Sequence, residues 1–270
     1  MLNSPLITFS GSDGAGKTTQ INLLLDHLRQ QGQRPVYLWV RGGYTPLFVK
    51  IKALLRRAPG GHGVMPPAGQ SAHREQRFGK PWVRGLWLTL SLLDLMLTYG
   101  VLVRWWQMRG RAVICDRYLW DTELDFQINF PREQVATWWL YRLLEKVVPR
   151  PTVSFLLLLP VEESVRRSKL KNEPFPDTPE VLAARLAFYR NAPAHWRCQV
   201  LDGRCTVAEL AAEIREHLAA RARTAHNYPG AAESSASIQG SDKICASVCF
   251  YSASRSGKFC APRWRDFCRS

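Results

Sequence analysis

The residues best suited to chemistry in this chain stand near its start, in Gly11-Ser12-Asp13-Gly14-Ala15-Gly16-Lys17-Thr18. This is the spacing G-x-x-x-x-G-K-T, and it answers what a polyphosphate needs: many donors and little bulk. Gly11, Gly14 and Gly16 permit backbone conformations in which successive N–H groups turn inward, Ser12 and Ala15 add small links, and Lys17 supplies a mobile ammonium. The Thr18 hydroxyl suits a hard divalent cation, and Thr19 continues the first helical turn. The strand-forming run Leu6-Ile7-Thr8-Phe9-Ser10 precedes the loop, and the helix-periodic Ile21, Leu23, Leu24, Leu25 and Leu28 follow it. Strand, loop and helix in that order outweigh a chance match in a glycine-rich turn.

Three further groups can act on anions. Arg41 ends the predicted strand Pro35-Val36-Tyr37-Leu38-Trp39-Val40, and Asp116-Arg117-Tyr118 follow the β-branched run ending Val113-Ile114-Cys115. In open parallel sheets ligands gather beyond the carboxyl ends of strands, which places Asp116 for metal or acceptor positioning and Arg41 and Arg117 for phosphate oxygens. Arg166, Arg167, Lys169 and Lys171 form a basic, turn-flanked segment that can close over a transferring group as a lid. A solvated helix end is the competing account of those four.

The elements that must position these groups read as a strand–helix alternation. Helices are expected over Leu47–Arg57, Trp82–Met108 with a bend near Gly100, Val135–Val147, Val161–Leu170, Pro179–Trp196 and Thr206–Arg223, the last capped by Thr206. Trp138, Trp139, Leu143 and Leu144 are the expected core contacts of the third of these. Thr152–Leu159 reads as a fully buried strand and Gln199–Gly203 as a last strand and turn. The segment 58–81, rich in glycine and proline, reads as a long loop. The fold class is therefore α/β, a five-stranded mainly parallel sheet with helices on both faces. One domain is expected over residues 1–225, followed by a serine-, glycine- and alanine-rich tail, 226–270, expected to be disordered. The tail cysteines, Cys245, Cys249, Cys260 and Cys268, fit no common zinc-ligand spacing.

At 270 residues and 46% hydrophobic composition the chain can bury a sizeable core. The net charge of +15 suits ligands carrying several negative charges, and a nucleic-acid surface would give the same sum. No nucleic-acid motif accompanies it. Met1–Asn3 shows no basic region followed by an apolar core, so no signal peptide is expected. The apolar run Leu86–Trp106 carries Asp94 at mid-span and Arg104 near its end, which favours a buried helix over a membrane span. A reducing cytoplasm is the default for scattered cysteines in such a chain.

Taken together and in this order, the phosphate loop, Arg41-Gly42-Gly43, Asp116-Arg117-Tyr118, the basic segment and Val200-Leu201-Asp202-Gly203 resemble the thymidylate kinase family over residues 5–222. The resemblance implies a P-loop NTPase fold of the nucleoside monophosphate kinase kind, and ATP-dependent phosphorylation of dTMP to dTDP with Mg²⁺. It implies that Gly11 to Thr18 hold ATP phosphates and that Asp13 approaches the acceptor. Arg41 would grip the acceptor phosphate, Asp116 and Thr18 would serve the metal, and Arg117 would clamp phosphate. The family places a catalytic basic residue in the loop or in the lid. With Ala15 before Gly16-Lys17, the lid candidates Arg166, Arg167, Lys169 and Lys171 would supply it. Nucleotide substrates are the implied partners, with neither membrane nor nucleic acid, and a homodimer is one arrangement open to the chain. The sequence departs from the family pattern in three places, one of them the segment 58–81, which has no evident family counterpart although Arg74, Arg77 or Arg84 could substitute for a missing arginine. Arg41 runs directly into Gly42-Gly43 without an intervening acid and proline, and Ser91-Leu92-Leu93-Asp94-Leu95-Met96 stands where the family carries an arginine that meets the acceptor. A kinase for another acceptor, a nucleoside or a non-nucleotide small molecule, and a non-catalytic nucleotide-dependent binding protein are the alternatives.

Overall fold

Two hexapeptides without a charged side chain, Leu6–Gly11 (β1) and Val153–Leu158 (β4), are buried at every position, as expected in the middle of a sheet covered on both faces. The computed structural model describes residues 4–40, 80–171, 177–191 and 198–227. Val36–Trp39 (β2), Val113–Asp116 (β3) and Gln199–Asp202 (β5) complete a five-stranded sheet in the order β2-β3-β1-β4-β5. All four pairings are parallel, with Phe9 opposite Asp116 and Gly11 opposite Leu157. The edge strand β2 alternates half-buried and exposed residues, as expected where one face meets solvent. The strand order puts β1 between β3 and β4, so whatever follows the tips of these three strands shares one end of the sheet.

Helices α1 (Lys17–Gln30), α2 (Pro81–Met108), α3 (Leu119–Asn129), α4 (Trp139–Val147), α5 (Val161–Leu170), α6 (Pro179–Asn191) and α7 (Val207–Asn227) connect and cover the strands. Thr206 caps α7 as expected: its Oγ1 accepts from the Glu209 amide at 3.3 Å, and Glu209 Oε2 accepts from the Thr206 amide at 2.9 Å. The unit Asn3–Arg215 contains the sheet and every residue discussed below, and the described residues beyond it, 216–227, continue α7. The expected helix over Leu47–Arg57, the loop 58–81 up to residue 79, Arg41 and the tail from 228 lie outside the described residues.

Two helices differ from expectation. Helix α2 widens to π-helical geometry over Met96–Val103, and a Cβ on Gly100 would stand 2.5 Å from Val147 Cγ1. The expected bend is thus a widened turn where α4 approaches. Trp87, Leu88, Leu92, Leu95, Tyr99 and Val103 face the core, whereas Leu93, Leu97 and Val101 are exposed. The helix is long and apolar enough to cross a membrane by composition, but half its apolar window is buried within the fold. Helix α4 begins late because Gln134 adopts a left-handed conformation and Val135–Thr137 form a single 3₁₀ turn. Trp138 then packs on the core from the helix boundary, while Trp139 is 74% exposed and Leu143 41%. The broken period, not the residue types, reverses the expected burial of Trp139 and Leu143.

Gly11 meets two demands at once: its φ is +131°, and a Cβ there would lie 1.9 Å from Leu157 O, the carbonyl that receives the Ser12 amide at 3.1 Å. Gly32 shares a positive φ of +75° but faces open space. Gly11→Ala is therefore expected to lower unfolding free energy by about 3 kcal/mol, and Gly32→Ala by about 1 kcal/mol, in denaturant titrations.

Candidate active site

Helix α1 starts without a side chain at its N-cap: Gly16, at φ +91°, occupies that position, and no acid lies in the first turn. The amide end of the helix is left for an external anion. Gly14 is likewise left-handed, at φ +76°, and the loop between β1 and α1 curls with the Ala15 amide 3.3 Å from Ser12 O. Lys17 is buried, and its Nζ donates to Gly11 O at 2.9 Å and Ser12 O at 2.7 Å, which holds the ammonium at the lip of the loop. Burial pulls its pKa down and the Asp13 carboxylate, 3.7 Å away, opposes that pull. Thr18 and Thr19 are exposed.

Asp13 joins this loop to the tip of β3. Its Oδ1 accepts from Arg117 Nη2 at 2.7 Å, so one carboxylate faces both Lys17 and Arg117. Arg117 itself has φ +74°, an uncommon conformation for a residue with a Cβ, and its amide is fixed to Phe9 O at 2.8 Å. That turn sends the guanidinium back toward the loop instead of along the strand. Burial acts to lower the Arg117 pKa, but Asp13 and Asp121 outweigh it and hold the guanidinium charged.

Asp121 is the organising acid behind this bridge. Its Oδ2 accepts from Ser10 Oγ at 2.6 Å and from the Tyr118 amide at 2.9 Å, its Oδ1 accepts from Tyr189 Oη at 2.6 Å, and Arg117 Nη1 lies 3.9 Å from Oδ1. One turn along, Arg185 bridges Asp125 and Asp177, each at 2.8 Å. On the other side, Asp116 accepts a 3.2 Å hydrogen bond from Tyr37 Oη. Burial first, then the Asp116 charge, push the Tyr37 phenol up to about 12. Burial raises the Asp116 carboxyl above its ordinary range, with Lys17 and Arg117 opposing.

The basic segment divides on the surface of α5. Arg167 turns inward: its Nη1 donates to Gly14 O at 3.2 Å and to Gly203 O at 3.0 Å, beside Ser164 Oγ, which donates to Asp13 O at 2.5 Å. These bonds brace the phosphate loop from outside and tie it to the turn after β5. Arg166 forks onto Glu163 at 2.7 Å, and Lys169 and Lys171 are exposed. Among the described predicted residues, then, Asp13, Lys17, Asp116 and Arg117 converge, Arg167 touches the loop backbone, and Arg166 and Lys169 stand on the solvent side of α5. Tyr37, Asp121, Asp125, Arg185 and Tyr189 were missed from sequence. For the four helical residues the signal is the four-residue spacing Asp121/Asp125 and Arg185/Tyr189, polar residues recurring on one helix face, and Tyr37 carries none.

A carboxyl whose pKa is raised on folding opposes stability above that pKa and is neutral to it below the unfolded value, where both states are protonated. Asp116→Asn is therefore expected to raise the melting temperature at pH 7, with the gain vanishing below about pH 3.8.

A family model described as the Type IV secretion-system coupling protein DNA-binding domain matches residues 3–56, a stretch that contains β1, the phosphate loop and α1. The thymidylate kinase of Desulfotalea psychrophila is 30% identical over 62% of this chain and 70% of its own length. Those of Bartonella henselae and Dinoroseobacter shibae are 27% and 28% identical, over 78% and 79% of this chain and 93% and 95% of theirs. With a relative 30% identical over 70% of its own length and others matched over more than nine-tenths of theirs, the chain belongs to the thymidylate kinase family and is a nucleoside monophosphate kinase.

Proposed function

We propose that the enzyme transfers the γ-phosphoryl group of ATP to the phosphate of dTMP, giving dTDP and ADP, with Mg²⁺. The observation that carries this reading is the Asp13 carboxylate shared by Lys17 and Arg117, since it couples the donor-side loop to an acceptor-side arginine within one buried cluster.

In the transfer, an oxygen of the acceptor phosphate forms a bond to the γ-phosphorus while the bond to the β–γ bridging oxygen breaks, and that oxygen leaves on ADP. Charge spreads over the moving group, so alignment and opposite charge are what the protein supplies. The glycine loop and the open end of α1 take the β- and γ-oxygens. Lys17 exchanges its bonds to Gly11 O and Ser12 O for phosphate oxygens, at little cost because those bonds are to neutral carbonyls. Arg117, set in place by Asp13 and Asp121, presents its fork to the attacking phosphate, with Arg41 as a second grip. The hard oxygens of Thr18 and Asp116 fit Mg²⁺, which when bound neutralises charge on the nucleotide phosphates. Arg166 and Lys169 serve as lid cations in this reading, and Arg167 as the brace of the loop. The reading includes a cytoplasmic enzyme whose catalytic domain spans residues 1–225.

One observation favours a different acceptor: α2 buries Asp94, 2% exposed, in the stretch where the family carries an acceptor-contacting arginine. An ADP-release assay over a panel of nucleoside monophosphates, nucleosides and small alcohols separates the two. dTMP is expected to give the highest kcat/KM, and turnover of nucleosides but no monophosphate would overturn the proposal. Lys17→Ala is expected to reduce kcat by about 10³ or more without lowering the melting temperature, and parent-rate turnover by that variant would refute the role given to the loop.

A further inference from the structure

Helices α3 and α6 meet through two polar rungs. Asp121 pairs with Tyr189 at 2.6 Å and Asp125 with Arg185 at 2.8 Å, so numbers rise along one helix as they fall along the other, and the helices run antiparallel. The first rung adjoins Arg117 and, through it, the phosphate loop. The second lies one turn farther from the loop, a displacement of about 6 Å. That is about the distance from a nucleotide's phosphate to the body of its nucleoside.

Each rung ends in a buried arginine with one donor to spare. Among the described residues, Nη1 of Arg117 and Nη1 of Arg185 are buried and have no hydrogen-bond partner, while Arg117 Nη2 is engaged by Asp13 and both remaining nitrogens of Arg185 are engaged by Asp125 and Asp177. Arg185 is 2% exposed, and a buried donor left unmade is costly unless a ligand completes it. The charges around the two differ. Arg185 lies between two carboxylates, Asp125 and Asp177, so its surroundings are already net negative, and a further anion there would be repelled. A neutral oxygen would not be.

The geometry points to Arg185 as a specificity-determining residue that binds the nucleoside end of the acceptor through a neutral oxygen, a base carbonyl or a sugar hydroxyl, one helix turn beyond the phosphate held by Arg117. Asp125 and Asp177 fix the plane of its guanidinium. This rests on the nucleoside monophosphate reading above and adds to it the residue that tells one acceptor from another.

The test compares the full-length parent with Arg185→Lys, which keeps the charge and loses the fork. KM for dTMP is expected to rise about tenfold or more, with KM for ATP changed less than twofold. The base-free 2-deoxyribose 5-phosphate, measured as a competitive ligand against dTMP, separates the two oxygens. An inhibition constant that the substitution leaves alone assigns the base carbonyl, and one weakened in parallel assigns the sugar hydroxyl. If Arg185→Lys does not fold, the charge-balanced double variant Asp125→Asn/Arg185→Gln is used in its place with the same expectations. Equal losses toward dTMP and ATP, or a lowered melting temperature with both KM values unmoved, would show a structural arginine and overturn the inference. A parent that turns over no nucleoside monophosphate would instead sink the reading on which it rests.

Discussion

The fold depends at its active end on one half-buried carboxylate between two cations. Asp13 is the counter-charge that allows Lys17 and Arg117 to lie out of water within a few ångströms of each other. Without it, two like charges would face each other in a region of low polarity, and one would turn toward solvent or Lys17 would lose its proton. Everything else on that end of the sheet keeps this acid in place: Ser164 takes its carbonyl, Arg167 takes that of Gly14, and the left-handed turn at Arg117 brings the guanidinium back over the loop. The bridge also links the loop after β1 to the tip of the adjacent parallel strand β3, the two places that the proposed transfer assigns to donor and acceptor.

The sheet explains why such a network can stand. β1 and β4 are buried throughout and paired side by side, and the close approach of Gly11 to Leu157 fixes where the first strand ends and the loop begins. Strained or costly features are then carried by rigid surroundings: the desolvated Asp116 and the positive φ of Arg117 lie at the buried tip of β3, and the buried Lys17 is bonded to Gly11 O at the end of β1. Function here draws on stability that the core supplies.

How much of this the sequence disclosed depends on the range over which each signal acts. The glycine spacing, the two apolar strands and helix α5, with Pro160 before it and Glu162 and Glu163 in its first turn, are local patterns, and their boundaries were legible within a residue or two. Trp139 and Leu143 were misplaced because a left-handed Gln134 and a single 3₁₀ turn reset the helical phase, which residue types do not reveal. In the candidate site the chemistry-bearing residues could be named, but their partners could not. Asp121 with Tyr189 and Arg185 with Asp125 are separated by 68 and 60 residues, and no period within either helix announces the other. The same limit applies to α5, where one basic run holds Arg167 against the loop and Arg166 and Lys169 in solvent.

The most direct measurement is a crystal structure of the enzyme with a non-hydrolysable ATP analogue, Mg²⁺ and dTMP. The account predicts the β- and γ-phosphates within hydrogen-bond reach of the Gly11–Thr18 amides and of Lys17 Nζ. It also predicts the dTMP phosphate on the Arg117 guanidinium, with Asp13 still bridging the two cations. A nucleotide seated away from that loop, or an acceptor phosphate that leaves Arg117 untouched, would contradict it.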